Sequence, residues 1–427
     1  MDCLLPLLFQ GLSNGAIELP DFFTQAPPRL NGVSSQQMNS GKGRYGQAWP
    51  NEASSANFLV VWEDGHGNST LAQQTLDVLE KSWEALTVEL GWKIPVSSDD
   101  YLLWVILTPE LSGTGFTTSY SSSDFPDGYP VIYLNPNYAD NTDFWASLSA
   151  HEFAHALQYA HRKYTTNEEE PWYWEASAEW QAELALPMVN AYGAQSWYYS
   201  EQTHFRYSSM ENSHQYGMFL LNAYLEEHLT GPGGIKAIWE LAAEAPNKGW
   251  DSLIPESTGL SIVEIFGGFT QTMTAMNLQD ADHYYPPKRQ GVLAEDSSGE
   301  LAYLGTHYWK VTEDFLVASE GEVQLASATG FGQQVTVRAG EKIAVTGLNA
   351  TKLADYQLIL SPIPEDSGLV DTEETGDTGD TGDTGEPIPE PPSACTCESA
   401  PSQKGSHWIL AGLCLLFYKR RAPTRHF

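Results

Sequence analysis

Between Cys3 and Cys395 the chain contains no cysteine; its four cysteines, Cys3, Cys395, Cys397 and Cys414, all lie near the two ends. The long stretch between them therefore has neither disulfides nor thiolate metal ligands. Basic residues are scarce as well. There are 21 Lys and Arg against 55 Asp and Glu, a formal net charge of −34. A nucleic acid needs a basic face to meet its phosphates, so that class of partner is excluded, and the acidity suits the soluble surface of a secreted protein. No apolar run approaches the roughly 20 residues of a membrane-crossing helix. What the chain does have is core material. An apolar content of 41%, with 14 Trp and 21 Tyr in 427 residues, points to two or three domains with a large buried interior.

One stretch is equipped for chemistry. Residues 141–161, NTDFWASLSAHEFAHALQYAH, hold no Gly or Pro and predict a single helix. Asn141 or Thr142 caps its start, and Asp143 sits in the first turn, where the helix dipole favours a carboxylate. Within it, HEFAH sets His151 and His155 four residues apart, so both imidazoles leave one face about one turn apart. Two neutral imidazoles at that spacing suit Zn2+, which takes nitrogen ligands tetrahedrally. Glu152 flanks the pair and can reach the fourth coordination position, where it would take a proton from water attacking a carbonyl carbon. The five-letter pattern also arises by chance, and a helix histidine on an apolar face is more often core than ligand. A second helix with a well-placed carboxylate tips the balance to function.

Two residues compete for the third ligand position. His161 completes the spacing H-E-x-x-H-x-x-x-x-x-H, which resembles the metzincin peptidases. That family turns the chain with a Gly eight positions into its motif, where Gln158 stands here, so the helix runs on. Six residues at about 100° each carry His161 roughly 120° round from His155 and away from the metal. The spacing thus predicts a partly exposed histidine at the helix end. Glu175 is the other contender, in EEEPWYWEASAEWQAELALP, residues 168–187. Pro171 suits a first helical turn, the three glutamates before it favour the positive end, and Pro187 marks the stop. Glu175 and Glu179 share one face of that helix. Glu175 follows His155 by twenty residues, room enough for a loop and an antiparallel return.

HEFAH followed by W-E-A-S-A-E-W resembles the gluzincin metallopeptidases, the thermolysin-like clan, over roughly residues 57–278. The resemblance implies zinc held by His151, His155 and Glu175, with Glu179 supporting His151 or His155 from behind. Thermolysin itself has the shorter Asp at the position of Glu179. The resemblance also implies a downstream Tyr or His that steadies the developing oxyanion. His214 and Tyr216 are the candidates, with His204 and Tyr207 as alternatives; a packed helix start is the plainer reading of the same residues. It implies, finally, that the edge strand ahead of the metal helix, GFTTSY at 115–120, pairs with extended substrate backbone, although an ordinary edge strand would read the same way.

In chain order, residues 1–16 resemble a weak secretion signal: an apolar run, then Asn14-Gly15-Ala16, but no basic residue ahead of the run. Residues 17–56 read as a polar lead-in. The body at 57–278 is expected to be an α+β catalytic domain, with an N-terminal mixed-sheet lobe and an α-helical lobe. NFLVVWE, YLLWVILT and VIYLNP predict strands; 70–90 predicts an amphipathic helix with Leu76, Leu79, Trp83, Leu86 and Leu90 inward. Residues 213–231, 235–245 and 262–276 predict further helices. Residues 279–300 read as a connector, and 301–363, with period-two apolar alternation between turns, as a β-sandwich of about six strands. Its one histidine, His307, makes no ligand cluster.

Residues 364–393 carry TGD three times and then TGE, with ten acidic residues and no basic one, and predict a disordered, self-repelling linker without an EF-hand pattern. Residues 394–427 hold Cys395-Thr-Cys397, the apolar run 408–418 and Lys419-Arg420-Arg421. Eleven apolar-rich residues are short for a span, and the set resembles bacterial C-terminal sorting tails of the MYXO-CTERM type. That resemblance implies a transient membrane segment, cleavage near the cysteines and anchoring at the cell surface or outer membrane. The leading expectation is therefore a monomeric, secreted and surface-anchored zinc peptidase acting on a protein or peptide substrate. The alternatives are a metzincin using His161, or a surface binding protein whose sandwich does the work and whose metal site is inert.

Overall fold

The structure is a computed structural model that describes residues 49–111, 113–120, 125, 127–161 and 171–363. The signal-like start, nearly all of the polar lead-in, the acidic linker and the sorting-tail stretch lie outside the described residues. What is described is mixed α+β. The first sheet has the order β1-β2-β3-β5-β4, from β1 (Asn51–Ser54), β2 (Phe58–Trp62), β3 (Leu103–Leu107), β4 (Gly115–Tyr120) and β5 (Tyr129–Leu134). Strands β2, β3 and β5 are parallel, and each is apolar and buried along its whole length, as strands covered on both faces must be. The crossover from β2 to β3 is helix α1 (Ser69–Trp83), capped by the Asn68 side chain and continued by a wider turn at 84–89. Leu76, Leu79, Trp83 and Leu86 form its buried face.

Both edges of this sheet are antiparallel. Strand β4 closes one side, pairing with β5. Strand β1 closes the other and pairs with β2, so the folded body starts inside the stretch read as a polar lead-in. NEAS carries no apolar period, which is why a lone sequence does not show it as a strand.

Helix α2 (Thr142–Ala160) leaves β5 almost at once, with the Asn141 side chain accepting from Phe144 N. Helix α3 (Pro171–Ala185) packs beside it. There follow α4 (Ser196–Glu201), α5 (His214–Gly217), α6 (Phe219–Tyr224), α7 (Gly234–Glu244), α8 (Trp250–Thr258) and α9 (Ile262–Ala275). Residues 213–231, read as one helix, are broken at Met218 and widen again at 225–230. The break lies where Gly217 is pressed on α4, so closely that a Cβ there would strike the Tyr199 backbone. Helix α8 has no counterpart in the sequence reading. Pro255 sits inside it and reads as a breaker, yet the helix holds and closes at Gly259, whose φ is +72°.

The C-terminal strands form two sheets, ordered β11-β10-β13-β8-β6 and β12-β9-β14-β7. Their ranges are β6 (Arg289–Leu293), β7 (Ser297–Leu301), β8 (Thr306–Val311), β9 (Phe315–Gly321), β10 (Val323–Ser327), β11 (Gly330–Gly332), β12 (Gln334–Val337), β13 (Lys342–Gly347) and β14 (Ala354–Pro362). Val311, Val323, Ile343 and Val345 of one sheet share a core with Val317, Val337, Tyr356 and Leu358 of the other. The sandwich therefore begins at Arg289, within the stretch read as a connector. RQGVL and SSGEL each bury only a terminal Leu, too little to show an alternation. The sandwich is not a detached module either. Tyr308, Ala326 and Ala344 belong to the main core, and a Cβ on Gly267 of α9 would lie 2.5 Å from the Phe331 ring. No helix among the described residues is long and apolar enough to cross a membrane.

Candidate metal centre

Helices α2 and α3 bring His151, His155 and Glu175 together in the interior. Glu175 Oε2 lies 3.2 Å from His151 Nε2 and 3.6 Å from His155 Nε2, and the two Nε2 atoms are 3.1 Å apart. Ligands about 2.0–2.2 Å from a tetrahedral Zn2+ stand roughly 3.3–3.6 Å from one another, so the three atoms fit one ion. Glu175 Oε1, buried beside them, has no hydrogen-bond partner, as suits a carboxylate whose charge is met by a cation. No other His, Cys, Asp and Glu group of this geometry occurs among the described residues.

The electrostatics follow from burial and proximity. Burial raises the Glu175 carboxyl, but His155 and His151 beside it prevail and hold it at about 2. Burial works against charge on His151, yet Glu179 and then Glu175 keep it well above the usual imidazole value. Glu179 Oε1 lies 3.3 Å from His151 Nδ1, so this carboxylate stands behind His151 and not behind His155. The corresponding nitrogen of His155 meets Gln158 Oε1 at 2.8 Å.

Glu152 is wholly buried, and burial raises its carboxyl against the pull of His155, His151 and Thr117. The Thr117 hydroxyl of edge strand β4 lies 2.8 Å from Glu152 Oε2 and 2.8 Å from its carbonyl oxygen. Two residues earlier on the strand, a Cβ on Gly115 would lie 2.5 Å from Glu152 Oε1. The sequence pointed to this edge strand as a whole but not to these two residues, though a glycine opening a strand is a sign of close backbone approach.

A cleft opens on this centre, lined by Thr114, Phe144, Leu148, Gln195, Tyr198 and Tyr216 around His151, Glu152 and Glu179. The Tyr216 ring is 6.0 Å from that of His151. His214, its rival for the oxyanion role, is not in the cleft lining. It is buried with its ring stacked on Tyr199 at 6.2 Å and edge-on to Phe205 at 5.8 Å, and burial, then His204, lower its pKa to about 3. Residues two apart on a helix point about 200° apart, so only one of the pair can face the cleft. The alternatives lie elsewhere too. His204 is exposed beside Phe205, and Tyr207 packs on Trp172 and Phe266. Tyr198 takes a place in the cleft that the sequence did not single out, since its aromatic-rich surroundings mask it.

His161 stands apart from the group of His151, His155 and Glu175, as the helix phase predicts. It is not half exposed, however, but a buried residue closing α2, edge-on to Trp92 at 5.4 Å and 6.3 Å from Trp239. A family model described as a family of unknown function (DUF6055) matches residues 25–258, more than half of the chain. The match takes in the whole of this centre and ends before α9 and the sandwich. No curated protein matches the chain.

Proposed function

The chain belongs to the DUF6055 family, and we propose that it is a zinc-dependent peptidase of gluzincin type. The observation that carries this reading is the buried convergence of His151, His155 and Glu175 at the foot of a cleft whose wall presents Glu152. Zn2+ held by those three residues would polarise a scissile carbonyl and acidify water beside it. Glu152 takes the proton from the attacking water and passes it to the leaving nitrogen. Thr117 holds that carboxylate in place, and Glu179 orients His151. The Tyr216 hydroxyl donates to the carbonyl oxygen as charge builds on it. Substrate backbone lies along the outer edge of β4, the last strand of its sheet. Secretion, and surface anchoring through residues 394–427, belong to the same proposal; cell-envelope fractionation of the full chain tests them.

The deciding experiment is Glu152→Gln, which keeps the shape and removes the base. Peptide hydrolysis should fall by about 10^2–10^4 while zinc content stays at the wild-type level. Turnover within a few-fold of wild type would show that Glu152 is not the base.

A further inference from the structure

Gln158 occupies the position at which the motif would need a glycine to turn the chain toward His161, and its contacts assign it a different task. Its amide nitrogen lies 3.0 Å from the carbonyl oxygen of Trp174 and 3.0 Å from Ser177 Oγ. A peptide carbonyl only accepts, so the NH2 end of the amide must face Trp174 and the oxygen end must face His155. The Ser177 hydroxyl gives its own proton to Tyr173 O at 2.6 Å. That leaves its lone pairs for the Gln158 amide and for Trp239 Nε1, which lies 3.1 Å away. Every donor and acceptor in this buried chain is thereby assigned. Gln158 Oε1, 2.8 Å from His155 Nδ1, can only accept, so Nδ1 carries the hydrogen and, in the neutral imidazole, Nε2 carries the lone pair.

We propose that Gln158 is a positioning residue for the metal centre: it locks His155 in the Nδ1–H tautomer and aims the Nε2 lone pair at the point shared with His151 and Glu175. The proposal rests on the metal-site reading above. The lock is built from the same turn of α3 that supplies Glu175, since Trp174 and Ser177 flank that ligand, so the W-E-A-S sequence carries both. A neutral amide suits this position better than a carboxylate. Glu152, Glu175 and Glu179 already place three carboxylates around two histidines in a buried site, and a fourth would leave the loaded centre with further uncompensated charge. His151 is thus backed by a carboxylate and His155 by an amide.

The test uses the full chain labelled with 15N-histidine, at a pH where the imidazoles are neutral, with zinc removed by chelation and then restored. The His155 signals are identified by their loss in His155→Asn. In the chelated wild type, long-range 1H–15N correlations should show His155 as the Nδ1–H tautomer. Gln158→Leu should scramble the tautomers and weaken Zn2+ binding about 10–100-fold. An Nε2–H His155 in the wild type, or a Gln158→Leu protein with unchanged tautomer and affinity, overturns the proposal. A locked Nδ1–H tautomer in a wild-type chain that takes up no Zn2+ would uphold the lock and sink the peptidase reading instead.

Discussion

Gly115→Ala adds one methyl group to the edge strand, and the structure says where it goes. The new carbon would sit 2.5 Å from Glu152 Oε1, 2.9 Å from Glu152 Cγ and 2.9 Å from Leu148 Cδ1. Ordinary contact starts at 3.4 Å, so the shortfall against Oε1 is about 0.9 Å. Either the Glu152 side chain leaves its rotamer or β4 moves outward and draws Thr117 from the carboxylate. Overpacking of this kind costs about 1–3 kcal/mol of stability. The larger effect should be on turnover, because displacing a reacting group by about 1 Å costs roughly 10^2-fold. His151, His155 and Glu175 on α2 and α3 are untouched, so zinc per folded molecule should not change. The assay is kcat/KM on a protein or peptide digest, with thermal unfolding and metal analysis alongside. A variant that unfolds a few degrees earlier but cleaves as fast as wild type would refute the placement of Glu152 as base against this strand.

Three further outcomes are expected. Glu175→Ala should lose most of its zinc, while His161→Ala should keep it and lose about 2–5 kcal/mol of stability to the cavity between Trp92 and Trp239; metal analysis and denaturant unfolding decide, and the reverse zinc pattern would move His161 onto the metal. Tyr216→Phe should lower kcat about 10^2–10^3-fold with KM little changed, whereas His214→Phe should act on stability alone; equal kinetic losses in steady-state assays would break that division. Glu183, whose carboxyl is pushed up to about 9 by burial and then by Asp280, favours folding while protonated. That contribution is complete below the ordinary carboxylate value near 4.5 and is lost as pH rises through about 9. Glu183→Gln should therefore gain stability over wild type progressively from pH 5 to 9 and not at pH 4; a pH-independent difference in unfolding free energy would contradict the shift.

What the sequence determined by itself is the part written in local periods. The i, i+4 spacing of His151 and His155, the absence of breakers through 141–161 and the Asn141 cap define helix α2 and its histidine pair without any knowledge of its neighbours. The continuous apolar runs of β2, β3 and β5 mark strands covered on both faces, and helix phase alone separates His161 from the other two histidines. Glu175 was legible at one remove, through its resemblance to a known pattern of spacing. The tertiary structure decided what depends on the meeting of distant segments. Short polar strands such as β1 and β6 have no period of their own and become strands only because a partner offers hydrogen bonds. That Tyr216 and not His214 lines the cleft, and that Glu179 lies beside His151 and not His155, turns on which face of each helix meets its neighbours. Thr117 and Gly115 stand more than thirty residues before Glu152 and touch it only because β4 forms the sheet edge beside α2. Composition and spacing describe what one helix can present; only the packing of α2 between β4 and α3 determines what each side chain meets.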